Sequence, residues 1–242
     1  MAIAYFDDDY FILKNFNFQN FWKNENLTRK FKFSVNLKKT GTTIAGIIFK
    51  KGVILASDTR ATIKETAIDV NCDKIHYISP NICCCGAGTS ADTENITNIV
   101  SNHLEVSRLS TSKETYVISA ITILQNILFQ NNGMISAALI VGGFDLSGSQ
   151  LYSIHPYGSG ERLPFCTMGS GSLSAISILE KYYQDKMNVD AAVHIIKQAV
   201  LAGIYNDIGS GGNIDICVLT KKGLSYNRNS YKNETKQIVG HF

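Results

Sequence analysis

Apolar residues recur at two different periods along this chain, and the changes of period mark out its elements. After Gly41, apolar runs over 44–49 and 53–58 flank Lys50-Lys51-Gly52, which predicts two strands joined by a loop of hairpin length. Two shorter strands follow over 75–78 and 82–85, around Pro80-Asn81. The period then becomes helical, and Ile96, Ile99, Val100, His103 and Leu104 predict a helix over 91–109. Thr111-Ser112-Lys113-Glu114 has the form of a capping box, followed by Val117, Ile121, Leu124 and Leu128 as the apolar face of a second helix. Asn131-Asn132-Gly133 ends it.

Strands over 136–141 and 150–155 are expected to meet through a glycine-rich turn around Gly142-Gly143-Phe144-Asp145, with another short strand over 165–168. Helices over 172–183 and 190–206, the second with Val193, Ile196, Val200 and Ile204 on one face, precede strands over 213–219 and 223–227. Strands, two helices, strands, two helices, strands is the order. Such segregated runs predict an α+β fold rather than the strict alternation of a parallel doubly wound sheet.

At 242 residues, 45% of them hydrophobic, the chain is long enough for one large domain with a substantial core. Its net charge of +3 lies entirely in residues 1–41, which hold seven Lys or Arg against four Asp or Glu. The neutral remainder argues against a broad basic surface for nucleic acid. Residues 1–41 also carry 10 of the 24 aromatic residues and six asparagines with no sustained period, and the composition shifts abruptly at Gly41. A poorly ordered tail or a removable pro-segment would account for this.

Asp7, Asp8 and Asp9 stand where a signal peptide needs basic charge, and no apolar run reaches membrane-spanning length, so the chain reads as soluble and intracellular. Six cysteines include three in a row and no CxxC pair. On a strand, Cys83 and Cys85 would share a face and Cys84 the other, as free buried thiols rather than a metal site.

The candidate chemistry centres on Thr42. Cutting after Gly41 would free its amine beside its hydroxyl, which puts nucleophile and base in one residue. Six blocks then follow in order: Thr42-Thr43-Ile44-Ala45-Gly46, Ala56-Ser57-Asp58-Thr59-Arg60-Ala61-Thr62, Asp73-Lys74-Ile75, Gly86-Ala87-Gly88-Thr89-Ser90-Ala91-Asp92, Met168-Gly169-Ser170-Gly171-Ser172 and Asn206-Asp207-Ile208-Gly209-Ser210-Gly211-Gly212. In order and spacing these resemble the signature blocks of catalytic beta-type subunits of the 20S proteasome, of the tryptic-like type, within the N-terminal nucleophile hydrolases.

The resemblance implies a four-layer αββα sandwich, two antiparallel sheets flanked by helix pairs. It implies a threonine endopeptidase that cleaves after basic residues and is activated by self-cleavage between Gly41 and Thr42. Residues 1–41 would be the pro-segment, 42–228 the catalytic domain and 229–242 a short tail. Catalytic roles would fall to Thr42, Asp58, Lys74, Gly88, Ser170, Asp207 and Ser210. Asp58 would hold Lys74 beside the hydroxyl, Gly88 would offer its N–H to the developing oxyanion, and Ser170, Asp207 and Ser210 would surround the terminal amine. Thr62, Cys72, Gly86, Ser90 and Glu94 would form the substrate pocket, deep at Gly86 and acidic at Glu94. No cofactor or metal is implied. Partners would be other alpha-type and beta-type subunits in a stacked-ring barrel and unfolded polypeptide substrates, with neither nucleic acid nor membrane, in cytoplasm and nucleus. The tryptic-like type usually continues into a long C-terminal arm that clasps a neighbour, whereas this sequence stops at Phe242 after a short polar tail, so that either the arm is missing from this sequence or the contact is made differently.

Two other readings compete. Gly86-Ala87-Gly88-Thr89-Ser90-Ala91, with Glu105 beyond, has the form of a dinucleotide-binding fingerprint, but that fold needs a parallel strand where 111–130 reads as a helix. A beta-type subunit that is purely structural would lack the nucleophile or its partners.

Overall fold

The computed structural model describes residues 41–63 and 66–231. The chain divides into two units, Met1–Leu37 and Lys38–Phe242, and all described residues belong to the second. Most of the expected pro-segment and the end of the C-terminal tail therefore lie outside the described residues.

Two five-stranded sheets form the centre. One has the order β10-β1-β2-β11-β12, from β1 (Thr43–Phe49), β2 (Gly52–Asp58), β10 (Phe165–Gly169), β11 (Ile214–Thr220) and β12 (Gly223–Asn227). The other has the order β5-β6-β7-β8-β9, from β5 (Ile75–Ser79), β6 (Ile82–Gly88), β7 (Ala137–Asp145), β8 (Gly148–Ile154) and β9 (Gly160–Arg162). A separate two-stranded ribbon pairs β3 (Ala61–Ile63) with β4 (Thr66–Asp69). Helices α1 (Ser90–Thr111) and α2 (Val117–Gln130) cover the second sheet, while α3 (Ser172–Tyr182) and α4 (Val189–Asn206) cover the first.

Strand alternation produces the layers. Along β2, Ile54 and Ala56 pack under α3 and α4, whereas Val53 and Leu55 point into the core between the sheets. The cysteine run obeys the same rule, with Cys83 and Cys85 between the sheets and Cys84 against α1 and α2, all as free thiols. The expected four-layer α+β sandwich is the observed fold.

Three expectations need correction. The run 111–114 does not cap α2: Thr111 closes α1, and Ser112 is its C-cap at φ +53°. The first N–H of α2, on Val117, donates instead to Asp145 Oδ2 at 2.9 Å, so a carboxylate 28 residues away satisfies it. Gly142 and Gly143 are not a turn but the middle of β7. A Cβ on Gly142 would meet Val53 Cγ1 at 2.9 Å, and one on Gly143 would meet Val117 Cγ2 at 2.5 Å, so the strand has layers pressed on both faces. Finally β3, β4 and β9 went unforeseen, being only 3, 4 and 3 residues long with little apolar pattern. Every described strand pair is antiparallel, and Gly86 and Gly88 lie in β6 between antiparallel neighbours, which removes the dinucleotide-binding reading.

Candidate active site

The two sheets converge on one ion pair. Asp58 ends β2 of the first sheet, and Lys74 immediately precedes β5 of the second. Lys74 Nζ lies 2.7 Å from Asp58 Oδ1, with both side chains buried. Such a pair is tolerable in the core only if every remaining donor and acceptor finds a partner, and here they do. Asp58 Oδ1 also accepts from Thr43 N at 2.9 Å, while Oδ2 accepts from Gly211 N at 3.0 Å and Arg60 N at 3.3 Å. An ammonium has three protons. Lys74 uses the other two on Thr42 Oγ1 and Gly41 O, each at 3.1 Å. Thr42 Oγ1 in turn donates to Gly41 O at 2.7 Å.

A second chain of bonds approaches Thr42 from the backbone side. Its amide donates to Ser170 Oγ at 3.0 Å, and Ser170 Oγ lies 2.6 Å from Asp207 Oδ2. Ser210 Oγ reaches the same carboxylate oxygen at 2.6 Å and lies 2.7 Å from Thr43 Oγ1. Each hydroxyl has one proton. Since Ser170 and Ser210 both donate to Asp207, Ser170 accepts from Thr42 and Ser210 accepts from Thr43.

In front of Thr42 opens a cavity of about 230 Å3. Thr42, Lys74, Gly86, Gly88 and Ser90 line it, together with Cys72 and Glu94. A Cβ on Gly86 would meet Thr93 Cβ at 2.8 Å, so glycine is what keeps that end of the space open. Gly88 is held at φ +123°, and a Cβ there would come within 2.2 Å of Ser136 O, which leaves glycine as the one residue that fits.

The proteasome subunit family matches residues 38–219, three quarters of the chain and all of this constellation. The chain belongs to the proteasome subunit family. It is 49% identical over 214 residues to proteasome subunit beta type-7-A of Arabidopsis thaliana, covering 88% of this chain and 78% of that one. It is 50% identical over 191 residues to beta type-7 of Dictyostelium discoideum (79% and 72% covered) and 48% identical over 191 residues to beta type-10 of Mus musculus (79% and 70% covered). As a proteasome subunit of the beta kind it is a threonine-type peptide hydrolase, and it assembles with other proteasome subunits in the core particle.

Of the residues the sequence singled out, Asp58, Ser170, Asp207 and Ser210 surround Thr42 but do not line the cavity, whereas Cys72, Gly86, Gly88, Ser90 and Glu94 do. Thr62 is placed differently from the expected wall: its Oγ1 accepts from Gly41 N at 3.0 Å. Ala61, Asp73, His76 and Thr93 also line the cavity and were missed. One signal was present for His76, because residues two apart on an extended segment share a face and Lys74 points here. Thr43, fully buried between Asp58 and Ser210, was missed as well.

Electrostatics follow from these contacts. Burial alone would raise the Asp207 carboxyl, but hydrogen bonds from Ser170, Ser210 and the Gly209 and Ser210 amides outweigh it and hold it below its ordinary value. Burial lowers His76 against the opposing pull of Asp73 and Glu94, so the imidazole is neutral at pH 7 and adds no cation to the cavity wall. Burial likewise raises the Cys72 thiol, despite Lys74, so it stays protonated.

Proposed function

We propose that Thr42 is the nucleophile of an endopeptidase that cleaves after basic residues, and that it is exposed by self-cleavage between Gly41 and Thr42. The observation that carries this reading is the placement of Lys74 Nζ on Asp58, on Thr42 Oγ1 and on the oxygen of the bond to be cut.

In the first reaction Thr42 Oγ1 attacks the Gly41 carbonyl carbon. The Oγ1–C bond forms, the C–N bond to Thr42 breaks, and the hydroxyl proton passes to the departing nitrogen. Lys74 stabilises the oxygen of Gly41 as it becomes negative. Water then hydrolyses the ester and leaves a free threonine N-terminus. That amine, with an ordinary pKa of about 8, becomes the base for later turnovers. It starts from a position already bonded to Ser170, and through Ser170 to Asp207.

Substrate hydrolysis repeats the steps with an incoming peptide, the Gly88 N–H serving the oxyanion. The side chain preceding the cut enters the cavity, where Glu94 faces a Lys or Arg. By this reading residues 1–41 are the pro-segment, 42–228 the catalytic domain and 229–242 the tail. The particle is a stacked-ring barrel of alpha-type and beta-type subunits that takes unfolded polypeptides rather than nucleic acid, in cytoplasm and nucleus. No described helix is long and apolar enough to cross a membrane.

The test is to treat assembled particles with a threonine-directed epoxyketone and sequence the modified peptide. Labelling at the N-terminal nitrogen and hydroxyl of Thr42 is expected. Persistence of residues 1–41 on the assembled chain, with Thr42 unlabelled, would instead favour a purely structural subunit.

A further inference from the structure

The segment that carries Lys74 into the site has no strand ladder of its own. Between β4 and β5, residues 70–74 are held by bonds from elsewhere: Cys72 N donates to Thr59 O at 2.9 Å, and Arg228 Nη2 donates to Asn71 O at 2.8 Å. The strongest grip falls on Asp73. Its Oδ1 accepts from Tyr226 OH at 2.7 Å, across 153 positions of sequence, and from Ile75 N at 3.2 Å.

Tyr226 belongs to β12, whose other residues are exposed, and is itself half-buried. It is braced by Asp215 of β11, fully buried, whose Oδ2 lies 3.3 Å from the same hydroxyl. Asp215 is satisfied in turn by Asn229 N at 2.8 Å and by Arg228 Nε at 3.4 Å, while Arg228 Nη1 stands 4.0 Å from Asp73 Oδ2. The guanidinium therefore pairs with Asp215 on one side of the phenol and stands only at the limit of reach of Asp73 on the other. Burial and the bond to Asp73 push that phenol far up, so it is a donor at every physiological pH.

Two cavities share the wall formed by Asp73, His76 and Glu94: the one of about 230 Å3 in front of Thr42 and a larger one of about 760 Å3. Tyr226 lines only the larger. It reaches the shared wall without entering the space that a substrate side chain would fill.

We infer that Tyr226 is a specificity-positioning residue: its hydroxyl fixes the Asp73 carboxylate on the cavity wall, where Asp73 joins Glu94 as an acceptor for a cationic substrate side chain. Held by Ile75 N and Tyr226 through one oxygen, Asp73 keeps lone pairs of the other for the substrate. Freed from Tyr226, the half-exposed side chain would swing towards solvent and Arg228. This rests on the reading of Thr42 as nucleophile and of the cavity as the site for a basic residue.

The test uses assembled particles and two epoxyketone probes that differ only in carrying Arg or Leu before the reactive group, with labelling of this chain at Thr42 followed by mass spectrometry. In Tyr226→Phe the labelling efficiency of the Arg probe is expected to fall about tenfold, the scale of one hydrogen bond to a charged group. The loss should appear in probe affinity, with the Leu probe and both maximal rates unchanged. Asp73→Asn should give the same loss, and the double variant no more than either alone. An unchanged Arg-to-Leu ratio, or an equal loss with both probes, overturns the inference. Should Tyr226→Phe fail to assemble, Tyr226→Met, which also removes the hydroxyl, is read by the same ratio. A wild-type chain that neither probe labels at Thr42 would mark failure of the catalytic reading instead.

Discussion

Gly41 and Gly209 lie backbone to backbone: a Cβ on Gly41 would stand 2.2 Å from Gly209 Cα, and one on Gly209 would stand 2.6 Å from Gly41 Cα. Neither side can yield, since the obstacle is main chain on both. The carbonyl that meets Lys74 therefore depends on a glycine before the cut. Gly41→Ala should displace that carbonyl by the order of an ångström and slow self-cleavage about 100-fold, the scale of such misplacements. Mass spectrometry of assembled particles would show the uncut chain accumulating. A chain released directly at Thr42 from a cleavable fusion should have normal activity, because residue 41 is then gone.

Lys74→Ala leaves Asp58 buried without its cation. Breaking a buried pair in this way costs about 3–5 kcal/mol, and the same change removes the group on Thr42 Oγ1. Particles carrying it should retain residues 1–41, fail to label at Thr42, and lose this chain to proteolysis at a lower temperature than wild type.

Gly86→Val should fill the cavity against Thr93 and exclude long side chains. We expect peptides with Arg before the cut to lose at least tenfold in kcat/KM while those with Ala are retained. Glu94→Gln keeps the volume and removes the charge, so it should reduce the Arg preference by about tenfold without changing the size limit.

His76 gives the cavity a pH dependence with a definite sign. Its pKa lies below the ordinary 6.5, chiefly through burial, so the ring is neutral from pH 8 down to about that value and charges only in more acid solution. A charged His76 beside Asp73 and Glu94 competes with a cationic substrate. The ratio of Arg to Leu probe labelling should therefore be flat from pH 8 down to the ordinary imidazole value and fall only in more acid solution. His76→Gln should abolish the fall. The same shift removes stability as pH drops through the folded pKa, since the unfolded chain binds the proton more readily. Asp207, held low, should stay ionised across this whole range.

A helix-end prediction concerns the fold alone. Asp145→Ala removes the acceptor for Val117 N and the partner of Gln150 Nε2 at 2.8 Å, and should cost about 0.5–2 kcal/mol, read as faster hydrogen exchange in the first turn of α2.

The sequence by itself determined the strand and helix periods, the two-faced burial of Cys83, Cys84 and Cys85, and the set of residues gathered at Thr42. The periods and the alternation are properties of spacing, which survives in one dimension, whereas the set at Thr42 was legible only through the resemblance of the six blocks to a known family. Tertiary structure alone decided which distant group satisfies a given donor or acceptor. Asp145 starts α2 where a local capping box was expected, Thr62 accepts from Gly41 instead of lining the cavity, and Tyr226 grips Asp73 from 153 positions away. A buried polar group must find a partner, but nothing in its own neighbourhood of sequence specifies which one; only the packing of the four layers brings that partner within 3 Å.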